Sequence, residues 1–392
     1  MKIAYLIRED IKGIVSPCYY ELIREIQRQG HKVVVLNEKG SFASMKTIKC
    51  NPLHVIDYPS GAFNKILFSA KAKELIERIE PDLVFGSLPE SIYFLEKIKA
   101  PKIVMVQDDL KGRIGFTPWL SNFGIKYGFM PVSVPKYTKI GVIIDYYFQI
   151  NSLRKADGIV FVNKEAKNEY KNKNPIAIVI PNGVNAKEFL LNKKIRREIR
   201  KIKDAYPEPI ILFMARLDLQ KAPLDFVKAA KKVLLKRKAY FLIAGDGPMR
   251  KAVERGIKKL NLGNRVKTLG WKNGVQKKAL LHACNVYVLP SLFDPMPVSL
   301  LEAMACSKPV IVSNVGGMRN TVNKKSGIKI PAGNIEKMVD AIIFMLENPG
   351  KAKEMGINAR KRIEEFYDWK VIAKKYIEFF NKVKNKKSGL DG

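Results

Sequence analysis

The chain has 392 residues, 47% of them hydrophobic, with 71 basic against 37 acidic side chains and a net charge of +34. That length favours two domains over one growing core, and the apolar content excludes a disordered chain. The charge predicts attraction to polyanions such as nucleic acid, an anionic membrane surface or phosphorylated small molecules, although most of the excess reads as solvated helix faces.

The N-terminus has too short an apolar run for a signal peptide, and no stretch of about 18 uninterrupted apolar residues predicts a transmembrane helix. Short apolar runs at residues 3–7, 33–36, 83–86, 103–106, 159–162 and 178–180 read as buried strands without polar alternation. That pattern belongs to a parallel sheet covered on both faces. Between the first two runs, residues 19–29 have helical periodicity and close on Gly30, a good helix terminator. Residues 137–153 are rich in Ile and Tyr and read as a core helix, with a helix lying on a membrane as the alternative.

The pattern restarts after Pro181-Asn182-Gly183-Val184. A charged stretch over 187–209 leads to strands at 210–215, 240–244, 266–269, 286–289 and 310–313, with helices between them that include 223–238 and 298–306. Two successive βα series predict two doubly wound α/β domains. The expected borders are 1–187 for the N-terminal domain and 188–367 for the C-terminal one. The amphipathic tail 368–387 is expected to pack back on the first domain. Cys18, Cys50, Cys284 and Cys306 form no CxxC pair and His31, His54 and His282 are dispersed, so no metal site or disulfide framework is expected. A reduced, cytoplasmic setting fits.

Three stretches carry chemistry. Arg216 and Lys221 follow a strand of the second series, at the strand ends where doubly wound sheets bind ligands. Arg216 can grip phosphate oxygens with a bidentate fork and Lys221 adds a point charge, although a Lys-rich chain also supplies surface cations freely. Gly245-Asp246-Gly247-Pro248 ends the next strand, where glycines permit close backbone approach or simply make a tight turn. The third stretch runs from Leu289 to Val310. A strand leads into a loop bearing Asp294, then a helix opens near Val298. Glu302 lies inside that helix, with seven residues between it and Asp294. The helix N-terminus is a ready anion site. Glu302 can accept hydrogen bonds from ribose hydroxyls and Asp294 can contact a sugar, or the two can be a helix-flanking and an exposed carboxylate.

In order and spacing these elements resemble the retaining glycosyltransferase family 4, over almost the whole chain and most closely over residues 179–334. The resemblance implies the GT-B fold, two facing Rossmann-like domains with a cleft between them. It implies a donor site of Arg216, Lys221 and Asp294 with Gly245, Asp246, Gly247, Leu269, Gly270, Met296, Pro297, Val298 and Glu302. Leu269-Gly270-Trp271 is similar to the strand end that meets the base, and Asp294 with Glu302 to the E-x7-E element. The next strand and loop, 309–313 with Gly316 and Gly317, and the segment 326–331 also match. Several positions depart from the family. Asp294 replaces the first Glu and reaches less far. Pro297 stands where Gly is common and removes one N–H. Ser307 and Asn320 replace commoner residues. Gln107, before Asp108, takes the place of a His. Gly13 alone remains of a glycine-rich loop.

The resemblance further implies transfer from a nucleoside-diphosphate sugar, with UDP-sugar as the default, to a glycan or lipid-linked acceptor. It implies retention of anomeric configuration and neither a metal nor a cofactor. Arg216, Lys221 and the helix end near Val298 would stabilise the leaving diphosphate. Gln107 and Asp108 would orient the acceptor. Gln107 cannot take a proton, so the departing phosphate oxygen is the expected acceptor of it. The other readings are a GT-B-fold sugar-nucleotide epimerase or phosphorylase, and a basic scaffold binding anionic lipid or nucleic acid. No basic–aromatic pattern for specific nucleic-acid binding is present. Many members act on lipid-linked acceptors, so peripheral attachment to an anionic bilayer, on the inner face of the cell membrane, is a further expectation.

Overall fold

The computed structural model describes residues 1–7, 17–37, 47–49, 70, 72–87, 89–107, 149–170 and 176–389. The chain divides into two units, Met1–Pro181 with Ile372–Gly392, and Asn182–Val371. The sequence reading places these borders at 187 and 367. Residues 182–186 join the second unit because they are tied to its end. Val184 bridges to Asp368, Asp368 Oδ2 accepts the Ala186 N–H at 3.1 Å, and a Cβ on Gly183 would meet the Trp369 ring at 2.7 Å.

The first unit is built on a parallel sheet. Its strands in chain order are β1 (Lys2–Ile7), β2 (Lys32–Asn37), β3 (Thr47–Lys49), β4 (Leu83–Gly86), β5 (Lys102–Val106), β6 (Gly158–Phe161) and β7 (Ile176–Val179), and their spatial order is β3-β2-β1-β4-β5-β6-β7. β3 has three residues and no apolar run, so hydrophobic patterning does not reveal it. Alternate residues face opposite sides. Ala4, Leu6, Val84, Val104 and Phe161 pack in one cluster with Ile76 and Leu153. On the other side Tyr5 stacks on Phe85 at 4.7 Å between ring centroids, and Phe85 meets Tyr376 and Phe380 of the helix Trp369–Ser388 at 5.6 and 5.1 Å. Each such pair adds about 0.5–1.5 kcal/mol beyond its burial. Leu153 is fully buried, so the described end of the Ile- and Tyr-rich segment is core. Residues 137–148 lie outside the described residues, as do Gly13 and Asp108.

The second unit has strands β8 (Ile210–Met214), β9 (Tyr240–Ala244), β10 (Val266–Gly270), β11 (Val286–Leu289), β12 (Val310–Ser313) and β13 (Gly327–Ile330), all parallel, in the order β10-β9-β8-β11-β12-β13. β8, β11 and β12 are buried at every position because helices cover both faces. The chain runs outward from β8 through β9 to β10, then returns to β11 on the other side of β8. The order therefore reverses between β8 and β11, and the loops leaving those two strands diverge and leave a crevice.

Candidate active site

Arg216 and Lys221 leave β8, and Asp294 leaves β11, so strand order brings them to the same crevice. Asp218 shapes the first loop. Its Oδ1 accepts the Lys221 N–H at 3.1 Å, and its Oδ2 lies 3.0 Å from Arg216 Nε. The terminal nitrogens of Arg216 remain outward on a side chain that is 68% exposed. Lys221 instead turns inward, with Nζ 2.6 Å from Asp294 Oδ2. The two loops also bond through backbone, Leu292 N–H to Gln220 C=O at 2.8 Å.

Asp294 is 2% exposed. Burial pushes its carboxyl above the ordinary carboxylate range, while Lys221 and a hydrogen bond from Ser291 Oγ at 3.2 Å pull the other way. Glu302 shows the same balance. Burial raises it, and Lys277, whose Nζ donates to Oε1 at 2.5 Å, opposes that. Its other oxygen takes no hydrogen bond from a described residue. Tyr287 is fully buried within electrostatic reach of both carboxylates. Its hydroxyl donates to the Met214 carbonyl at 3.0 Å and, having one proton, accepts from Ser299 Oγ at 2.8 Å. Burial raises the pKa of this hydroxyl, and the charges of Glu302 and Asp294 add to the rise.

The helix Val298–Ala305 opens with Pro297 at its N-cap. It has no side-chain cap and no acidic residue in its first turn. Its leading N–H groups and positive dipole end are thus uncommitted to any side chain. The preceding loop is held from outside, since Asn182 Nδ2 donates to the Met296 carbonyl at 3.3 Å.

The glycines have a specific structural task. A Cβ on Gly245 would lie 1.9 Å from the Ala215 carbonyl oxygen, and one on Gly316, whose φ is +44°, would lie 2.0 Å from the Asp294 carbonyl oxygen. The turn after β9 is pressed onto the Arg216 loop, and the turn after β12 onto the Asp294 loop. Gly247 is likewise held against Leu217. These contacts explain Gly245 and Gly247 without a ligand. Asp246 commits both oxygens locally, Oδ1 to the Gly247 N–H at 2.8 Å and Oδ2 to Arg250 at 3.0 Å. Gly270 accepts the Gly245 N–H at 2.9 Å, so Leu269 and Gly270 end β10 beside the same turn, with Trp271 63% exposed just beyond.

Arg216, Lys221, Asp294, Met296, Pro297, Val298 and Glu302 thus gather at one end of one sheet. Gln107 is at the end of β5 in the first unit, half-buried, its side-chain amide 3.6 Å from Met105 Sδ. Sequence reasoning misses Lys277, Asp218 and Tyr287. Asp218 is legible as a capping residue three positions before Lys221, whereas Lys277 carries no local signal.

A family model described as "Glycosyltransferase Family 4" matches residues 15–188, and one described as "Glycosyl transferases group 1" matches residues 195–362. An uncharacterised glycosyltransferase of Methanocaldococcus jannaschii is 34% identical over 52% of this chain and 53% of its own length. The UDP-Gal:alpha-D-GlcNAc-diphosphoundecaprenol alpha-1,3-galactosyltransferase of Escherichia coli is 33% identical over 48% and 52%. The matched region spans about half the length of these two curated relatives. The solved structure of sucrose-phosphate synthase from Thermosynechococcus elongatus shares the fold with a TM-score of 0.77, covering 97% of this chain and 98% of its own at 20% identity.

Proposed function

We propose that this chain, which belongs to the group 1, family 4 glycosyltransferases and has their GT-B fold, transfers a sugar from a nucleoside-diphosphate sugar to a glycan or lipid-linked acceptor. The observation that carries this reading is the meeting of the Lys221–Asp294 pair, the outward Arg216 and the uncapped helix end at Val298 in the crevice between β8 and β11. A departing diphosphate needs its growing charge met by fixed donors. Arg216 would take phosphate oxygens with the nitrogens that Asp218 leaves unused, and the helix N–H groups would take others. These cations and dipoles supply what a metal supplies elsewhere, so transfer needs no metal ion. Glu302 would hold the ribose through its unpaired oxygen, and Asp294 a sugar hydroxyl.

Retention follows if the acceptor attacks from the face the diphosphate leaves, with a phosphate oxygen accepting the acceptor's proton. Gln107 and Asp108 would orient the acceptor. UDP is the donor base we favour, because the name of the Escherichia coli relative specifies UDP-Gal. That name also specifies a diphosphoundecaprenol-linked acceptor, which supports a lipid-linked acceptor here. Among the described residues no helix is long and apolar enough to cross a membrane. Such an acceptor would be met by peripheral attachment to the cytoplasmic face. Leu190 and Leu191 are exposed beside the helix Lys193–Ala205, whose Lys193, Lys194, Arg196 and Arg197 face solvent. Co-sedimentation with anionic vesicles at moderate salt tests that attachment.

Thermal denaturation with UDP, GDP and ADP tests the donor site. One nucleotide at a hundredfold excess over its Kd stabilises by about 2.7 kcal/mol, and Glu302→Ala loses that increment relative to its own ligand-free state. No stabilisation by any of the three would remove the donor site and the transfer reaction with it.

A further inference from the structure

The strands that end at the donor crevice begin at another concavity. Pro209 precedes β8, Asn285 precedes β11 and Pro309 precedes β12, and all three line a cavity of about 260 Å³. Since the strands are parallel, this cavity is at the opposite end of the sheet from Arg216 and Asp294. Its remaining polar lining includes Lys203, Lys308, Lys353, His282 and Ser307, and no Asp or Glu lines it.

The chain has an excess of lysines everywhere, so charge alone is uninformative. What distinguishes these lysines is that they surround one concavity whose lining holds no carboxylate. Other lysines of this unit sit on a carboxylate, as in Lys201–Glu198, Lys232–Glu336 and Lys337–Asp340. Lys203 and Lys353 form no ion pair with any described residue. Lys308 donates to the His282 carbonyl at 2.6 Å, a neutral acceptor that leaves its charge uncompensated. Asn285 accepts the Ile210 N–H through Oδ1 at 2.9 Å, which leaves its side-chain N–H groups for a ligand. The helix Pro349–Arg362 also opens at this cavity, with proline at its first position, no acidic residue in its first turn and no side-chain cap. Several donors without counter-ions around one concavity focus a positive field into it.

We propose that this cavity binds a phosphorylated small molecule, at a site separate from the donor crevice. Its volume falls below the roughly 300–1,000 Å³ of pockets for drug-sized ligands. A compact phosphate monoester fits it better than a whole nucleotide sugar. Lys203, Lys308 and Lys353 would surround the phosphate, and Asn285 and Ser307 would take hydroxyls of the ester.

Isothermal titration with glucose 1-phosphate and with inorganic phosphate, at constant ionic strength, tests this. Lys203 and Lys353 are exposed, so the K203Q/K353Q variant keeps the fold, which its unliganded Tm verifies. Saturable binding of glucose 1-phosphate is expected in the unmodified chain. It should weaken at least about tenfold in K203Q/K353Q through loss of two charge-assisted contacts and persist in Arg216→Ala. Binding of inorganic phosphate with equal affinity would make the phosphate group alone the ligand, with the same dependence on the lysines. Equal affinity in K203Q/K353Q, loss in Arg216→Ala, or absence of saturable binding would each overturn the proposal. None of these readings requires a nucleotide sugar, so failure here leaves the transferase reading untouched.

Discussion

Lys221 Nζ lies 2.6 Å from Asp294 Oδ2, and the pair fastens the loop after β8 to the loop after β11. Asp294 is almost fully buried, and Lys221 and Ser291 Oγ stand against the burial that raises its pKa. Lys221 is thus a structural counter-ion as well as a candidate phosphate contact. The sequence reading gives Lys221 and Arg216 the same part, stabilising the leaving diphosphate. The structure separates the two.

Removing Lys221 strands a buried carboxylate. Lys221→Met should cost about 3–5 kcal/mol, as breaking one side of a buried pair does. Asp294→Asn added to it should recover most of that loss by removing the unpaired charge. Chemical denaturation of the two variants and the parent chain measures this. A single variant as stable as the parent would show that the pair contributes nothing.

Arg216 is the contrary case. Its pairing with Asp218 is on an exposed side chain, and such pairs contribute little. Arg216→Ala should leave stability within about 0.5 kcal/mol. If Arg216 meets the leaving diphosphate, kcat should fall about 10²–10³-fold, the effect of removing one preorganised donor. Steady-state kinetics beside a melting curve reads both. Full turnover in the folded variant would exclude Arg216 from the reaction.

Gly245 sets the position of the Arg216 loop. In Gly245→Ala the new methyl would meet the Ala215 carbonyl oxygen at 1.9 Å, and backbone must move. The cost should be about 1–3 kcal/mol, typical of overpacking, with weakened nucleotide binding because Arg216 follows directly. Gly263→Ala meets nothing within 4 Å and should stay within about 0.5 kcal/mol. Comparing both variants by thermal denaturation with and without nucleotide isolates the close approach from the loss of a glycine as such.

His282 links stability to pH. Its Nε2 is 2.8 Å from the Phe189 carbonyl, which can only accept, so Nε2 carries the proton. Burial lowers its pKa below 6.5; the Phe189 carbonyl opposes that, while Lys308, Arg360 and Arg196 reinforce it. Below pH 6.5 the unfolded chain therefore takes a proton that the folded chain refuses. Stability present above 6.5 is lost as pH falls toward the folded value. His282→Gln retains an N–H donor without the titration. Between about pH 5 and about pH 8, its Tm should depend less on pH than that of the parent chain, and parallel profiles would exclude His282 as the source.

Much of this was legible from local pattern. Short apolar runs mark β1, β8 and β11 because strands buried on both faces must be apolar throughout. Asp294 and Glu302 stand out because a strand, a loop and a helix start follow in a few residues. The helix 369–388 is legible as amphipathic, but its partners Phe85 and Gly158 are not.

What the sequence by itself determined was therefore the succession of strands and helices and the types of group near each strand end. The tertiary structure alone decided which of those groups meet. Lys221 and Asp294 are 73 residues apart and Lys277 and Glu302 are 25 apart. Periodicity within a segment reports which face is apolar, whereas partners across strands depend on the order β9-β8-β11-β12. The two glycine turns owe their identity to the same order, because only the folded sheet brings Ala215 and Asp294 carbonyl oxygens to where a Cβ would otherwise stand.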